Sequence, residues 1–158
     1  LQEQVRDLGG RLYNQIVSRA LAEGLIEADD TSLWKTGHTV QFTPEQKDRI
    51  DALLRTFGED PYATPSVSDC IEQLGEEVFY ALLEDGVLVR IHPEVVFTPE
   101  ALAEMREGVV KLIRAEESVT IAQVRDLFRT SRKYAVALME YLDQEHITRR
   151  VGDVRVLR

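Results

Sequence analysis

The chain has 158 residues, 44% of them hydrophobic and 30% charged, enough apolar material for a core and too much for a disordered tail. It has no apolar run of the roughly 18 residues a membrane helix needs, no basic-then-apolar leader pattern in Leu1-Gln2-Glu3-Gln4, and one cysteine, Cys70, which cannot form an internal disulfide and fits a reducing cytoplasm. The net charge of −9 argues against nucleic acid for the chain as a whole, but residues 1–120 carry 11 Lys+Arg against 23 Asp+Glu while residues 121–158 carry 8 against 5, an asymmetry that points to a nucleic-acid surface at one end.

The chain has no starting Met and opens inside a helical pattern, so it reads as a piece of a longer protein. Val5-Arg6-Asp7-Leu8 precedes a helix expected over Arg11–Glu23, with Leu12, Ile16, Arg19 and Ala20 on one side and Gly24 as its stop. Leu25-Ile26-Glu27-Ala28 and Thr39-Val40-Gln41-Phe42 are expected to pair as a hairpin around a long loop, where Trp34 covers a small core. A second copy of this grammar opens at Thr43-Pro44 with a helix to about Phe57. A turn-rich stretch, Gly58–Ser66, leads into a short helix Val67–Leu74, then through Gly75 into Glu76–Glu84. Gly86 ends that helix, and Val87–Ile91 with Val95–Phe97 make a second hairpin.

The third copy is the clearest. Thr98 caps a helix Pro99–Glu116 with Pro99 at its first position, and Leu102, Met105, Val109, Leu112 and Ile113 recur at helical spacing. Ser118–Thr120 forms a short strand, Ile121–Phe128 a short helix, and Arg129-Thr130-Ser131 a turn ending in a capping residue. The helix Arg132–Gln144 carries a stripe of Tyr134, Leu138, Tyr141 and Leu142. Ile147–Arg150 and Val154–Leu157 flank Val151-Gly152-Asp153 as a hairpin wing. Three copies of helix, turn, helix and hairpin in phase predict tandem winged helices: mostly α, with small β wings, in an elongated array. The domain boundaries expected are 1–42, a partial module lacking its first helix, then 43–97 and 98–158, joined almost without linkers.

Val124-Arg125-Asp126-Leu127, Thr130-Ser131-Arg132-Lys133-Tyr134-Ala135 and Thr148-Arg149-Arg150-Val151-Gly152-Asp153 resemble the last winged helix of bacterial selenocysteine-specific elongation factors, the SelB family. The resemblance covers the whole chain, with its sharp motifs in the last third. It implies a fragment that binds the selenocysteine insertion hairpin (SECIS) of selenoprotein mRNA and so directs incorporation at UGA. It also implies partners met through the full-length protein, namely the ribosome and selenocysteinyl-tRNA, and a GTPase outside this chain that holds GTP and Mg. No G-x-x-x-x-G-K-[S/T] loop occurs here, and no catalytic site, cofactor, metal or oligomer is expected of the fragment. One departure stands out: Arg129 occupies a turn where the family pattern leads one to expect Gly.

RNA hairpins are read through phosphates and splayed bases, because the A-form major groove is too narrow for side chains. Ser131 at a helix start offers an anion seat, and Arg132 and Lys133 in the first turn oppose the helix dipole, a poor choice for solubility alone. Arg149 and Arg150 alternate along a strand, so one faces away from the other. Arg155 lies across the wing, and Arg125 and Arg129 complete the expected RNA-binding set. His38, His92 and His146 fall in different modules without ligand spacing. A winged-helix transcription regulator reading DNA, and an array that binds only protein, are the competing readings.

Overall fold

The computed structural model describes Ile26–Ala28, Leu33–Lys35 and Gln41–Arg158, and the chain divides into two compact units, Leu1–Gln41 and Phe42–Arg158. In the first unit β1 (Ile26–Ala28) pairs antiparallel with β2 (Leu33–Lys35), Trp34 lying opposite Glu27. The expected strand partner at Thr39–Phe42 is thereby corrected, since Gln41 and Phe42 lie outside any strand. Ile26–Ala28 and Leu33–Lys35 are only four residues apart in sequence, and a shorter connection closes at lower entropic cost. Val5–Leu8 and the helix expected over Arg11–Glu23 lie outside the described residues.

The second unit is mostly helical with two small antiparallel sheets. Four of its six helices start where a side chain satisfies orphan N–H groups. Thr43 closes a reciprocal capping box with Gln46 at the head of α1 (Pro44–Glu59), and Ser66 does so with Asp69 on α2 (Val67–Leu74). Gly75 leads into α3 (Glu76–Glu84). After it Gly86, at φ +70°, lets its own N–H reach Leu83 O and the Val87 N–H reach Leu82 O, the paired bonds of a helix stop that needs a left-handed residue. β3 (Val89–His92) and β4 (Val95–Phe97) follow as the wing.

Thr98 caps α4 (Pro99–Glu116), which buries Leu102, Met105, Val109 and Ile113. β5 (Val119–Thr120) precedes α5 (Ile121–Leu127), whose capping box joins Thr120 to Gln123. α6 (Arg132–Gln144) buries Ala135, Leu138, Met139 and Leu142. β6 (Thr148–Val151) and β7 (Val154–Leu157) form the last wing, which β5 extends in the order β5-β7-β6.

Two cores fill this unit, and β4 belongs to both. Val96 packs with Ile50, Leu53, Phe57, Phe79 and Leu88, whereas Val95 and Phe97 pack with Met105, Val109, Leu138 and Leu142. A strand's side chains alternate between its faces, so a strand with both faces covered by apolar groups serves two cores at once. The middle wing is therefore structural material of the last winged helix.

Candidate nucleic-acid interface

The turn between α5 and α6 is an exposed cationic feature of the last winged helix. It is a Schellman stop: Thr130 N–H donates to Arg125 O at 3.0 Å and Arg129 N–H to Asp126 O at 3.3 Å. The left-handed position falls on Arg129, at φ +50°. The expected glycine is thus absent at a place where the backbone favours one, and Arg129 carries a conformational cost of roughly 1–2 kcal/mol. Its side chain is exposed and, among the described residues, unpaired.

Ser131 sits at the N-cap of α6 with an extended backbone, yet its hydroxyl makes no capping bond. The Ser and Thr caps of α1, α2, α4 and α5 all make theirs. The first-turn N–H groups of α6 and the Ser131 hydroxyl therefore remain open to an external acceptor, and the helix dipole favours an anion there. Arg132 is exposed and forms no ion pair among the described residues. Lys133 folds back, its Nζ 5.5 Å from the Tyr134 ring centroid. Hydrogen bonds from Ser66, and then the nearby Lys133 ammonium, hold the Asp69 carboxyl below the usual range. Lys133 thus leans toward the middle winged helix, and Arg132 is the freer of the two cations.

The middle winged helix grips this turn. Thr130 Oγ1 donates to Tyr62 O, and the Tyr134 hydroxyl donates to Thr64 O. The Tyr62 ring lies 5.2 Å from the Phe128 ring, and its hydroxyl donates to Glu104 at 2.8 Å. Tyr134 also packs 5.9 Å from Phe97; burial, then Asp60 and Asp69, push its phenol pKa up.

The wing divides its arginines. Arg155 is corrected from the expected RNA-binding set: it is 7% exposed, and its Nε donates to Asp143 Oδ2 at 3.3 Å. β7 is the central strand, and residue 155 lies opposite Val119 on its inward face. A buried guanidinium persists only when paired, and Asp143, which also accepts from Thr148 Oγ1 at 2.6 Å, pairs it. Arg150 lies opposite Arg155 and so shares the inward side, but it is exposed near the hairpin tip with Nε bonded to Gly152 O. Arg149 lies opposite Val156 on the outward face, exposed and without an ion pair among the described residues. Arg125 is occupied by its neighbour Asp126, Nη2 to Oδ1 at 2.6 Å.

The structure thus gathers Arg129, Ser131, Arg132 and Lys133 on one turn and puts Arg149 on a separate wing face. Sequence reasoning missed Leu127, which continues the apolar spacing of α5 yet is 46% exposed beside the turn. It missed Tyr62 too, because a loop has no periodicity to reveal what it packs against.

Residues 111–157 match the family model described as "Elongation factor SelB, winged helix". The selenocysteine-specific elongation factor of Desulfomicrobium baculatum is 29% identical over 97% of this chain, and that of Haemophilus influenzae 25% over 93%. The chain spans about a quarter of the length of each of these relatives. The mRNA-binding domain of E. coli elongation factor SelB, solved in complex with SECIS RNA, superposes with a TM-score of 0.58 at 25% identity, over 74% of this chain and 99% of that one. A bacterial selenocysteine-specific elongation factor superposes with a TM-score of 0.60 at 15% identity, over 99% of this chain and 25% of that one, a likeness of fold.

Proposed function

We infer that this chain, a relative of the winged-helix region of SelB-type selenocysteine-specific elongation factors, binds a hairpin in selenoprotein mRNA and thereby directs selenocysteine to UGA codons. The observation that carries this reading is the uncapped start of α6, where the Ser131 hydroxyl and the first-turn N–H groups lie open between Arg129 and Arg132. Backbone donors and the dipole seat a phosphate, and the planar guanidinium forks suit phosphate or a base edge. Arg149 supplies a second cation on the wing. In the whole protein this part tethers the factor to its message, while a GTPase elsewhere, with GTP and Mg, delivers selenocysteinyl-tRNA to the ribosome in the cytoplasm.

The acidic remainder of the chain supports a local site rather than a generally sticky one, because like charge repels nucleic acid beyond the basic turn. The test is fluorescence anisotropy at fixed salt. The probes are hairpins that follow in-frame UGA codons in the genome encoding this chain, set against duplex DNA of equal length. The hairpin should bind at least ten times more tightly. Equal or preferential binding of duplex DNA would return the chain to the transcription-regulator reading.

A further inference from the structure

The strained residue of the turn is held from outside the turn. A Cβ on Gly108, in the middle of α4, would lie 2.8 Å from Phe128 Cζ and 3.2 Å from Cε1. Glycine lowers helix propensity, and here it serves a close approach: the Phe128 ring occupies the space a side chain would take. Phe128 is the residue immediately before Arg129, and the Tyr62 ring, 5.2 Å away, packs against it. Tyr62 is fixed in turn by its hydroxyl bond to Glu104 of the same α4, and its carbonyl accepts from Thr130, the residue after Arg129. Both neighbours of the left-handed arginine are therefore anchored by groups belonging to α4 and to the middle winged helix. A strained backbone persists only where its surroundings over-determine it, and such strain concentrates at ligand clamps.

We propose that Gly108, Phe128 and Tyr62 are positioning residues for RNA binding: they hold the Arg129 backbone in its left-handed conformation, so that its side chain leaves the turn from a fixed point before the RNA arrives. The middle winged helix then contributes to affinity through Tyr62 without touching RNA. This rests on the hairpin-binding reading above. A turn backbone already held in place need not be ordered on binding, so the clamp acts on affinity through Arg129.

The experiment is a binding cycle on the full chain with the same UGA-associated hairpins, using wild type, Gly108→Ala, Arg129→Ala and the double variant, with thermal melts alongside. Gly108→Ala should weaken binding about three- to tenfold in the wild-type background and have no further effect once Arg129 is Ala. It should also reduce the salt slope by roughly one phosphate, as Arg129→Ala does. A general loss of packing would not move that slope. If Gly108→Ala does not fold, Tyr62→Leu replaces it; this keeps the Tyr62 carbonyl and removes the ring. Equal losses in both backgrounds would overturn the proposal, as would unchanged affinity in either single positioning variant. Failure of wild type to bind any of the hairpins would overturn the RNA reading itself, a result distinct from both.

Discussion

Cutting the chain after Phe97 removes part of the last core. A fragment of residues 98–158 would retain α4, α5, α6 and the final wing but lose Val95 and Phe97, both fully buried against Met105, Val109 and Leu138. Full burial of one Val or Phe side chain contributes about 1.5–3 kcal/mol, so the two together account for about 3–6 kcal/mol. A domain of that length holds roughly 3–9 kcal/mol in all, at about 0.05–0.15 kcal/mol per residue. Loss of the Tyr134–Thr64 and Thr130–Tyr62 bonds adds to the deficit. The fragment should therefore be largely unfolded near 37 °C, whereas residues 42–158 should melt as one cooperative unit and bind RNA as the full chain does. This runs against the boundary between 43–97 and 98–158 expected from the sequence. The assay is circular dichroism melting of both fragments with anisotropy on the same hairpin. A 98–158 fragment that melts cooperatively within a few degrees of the longer one, and binds equally, would refute the shared-core argument.

Arg132→Ala should weaken RNA binding by about 1–3 kcal/mol if its guanidinium reads a base edge and by less if it meets only phosphate; Lys133→Ala should cost less, since that ammonium is drawn toward Asp69 and Tyr134. Hairpin titrations at fixed salt rank the two. Arg155→Ala should instead lower stability by about 1–3 kcal/mol by leaving Asp143 without its partner, and should leave the salt dependence of RNA binding unchanged; melts and salt titrations separate these outcomes. Burial, and then Asp69, push the Cys70 thiol up to about 12. The folded chain therefore keeps a proton that the unfolded chain releases above about 8.5, and this contribution to stability declines as pH rises from there toward 12. The difference in urea midpoint between wild type and Cys70→Ala, compared at pH 8 and pH 10.5, isolates it; a difference independent of pH would refute it.

Much of the fold is legible because local chemistry and tertiary structure agree. The Thr-Pro pairs at 43–44 and 98–99 start helices where capping predicts, and the bounds of α2, α3, α6 and β7 follow from punctuation and periodicity. What escaped depends on contacts between distant parts of the chain. Arg155 alternates with apolar residues on its strand, so only the third strand, β5, and the carboxylate of Asp143 reveal that it points inward. Ser131 reads as a cap by type, yet its hydroxyl is not used as one. Thr39–Phe42 has better strand composition than Leu33–Lys35, but the nearer segment pairs with Ile26–Ala28. For the site, the helix-start cations and the oddity of Arg129 were visible in sequence. The hold exerted on that turn by Tyr62 and Gly108 was not, since neither belongs to a motif.

A strand shared between two cores also sets a schedule for the growing polypeptide. Synthesis proceeds from the N-terminus, so the middle winged helix can form around Val96 while Val95 and Phe97 on the same strand still lack their partners. Leu142, on the last helix that covers them, is added about 45 residues after Phe97, which at roughly 5–20 residues per second is a delay of about 2–9 s. Throughout that interval a nascent chain presents an apolar strand face with nothing to pack on it, a surface that chaperones or neighbouring nascent chains would meet first.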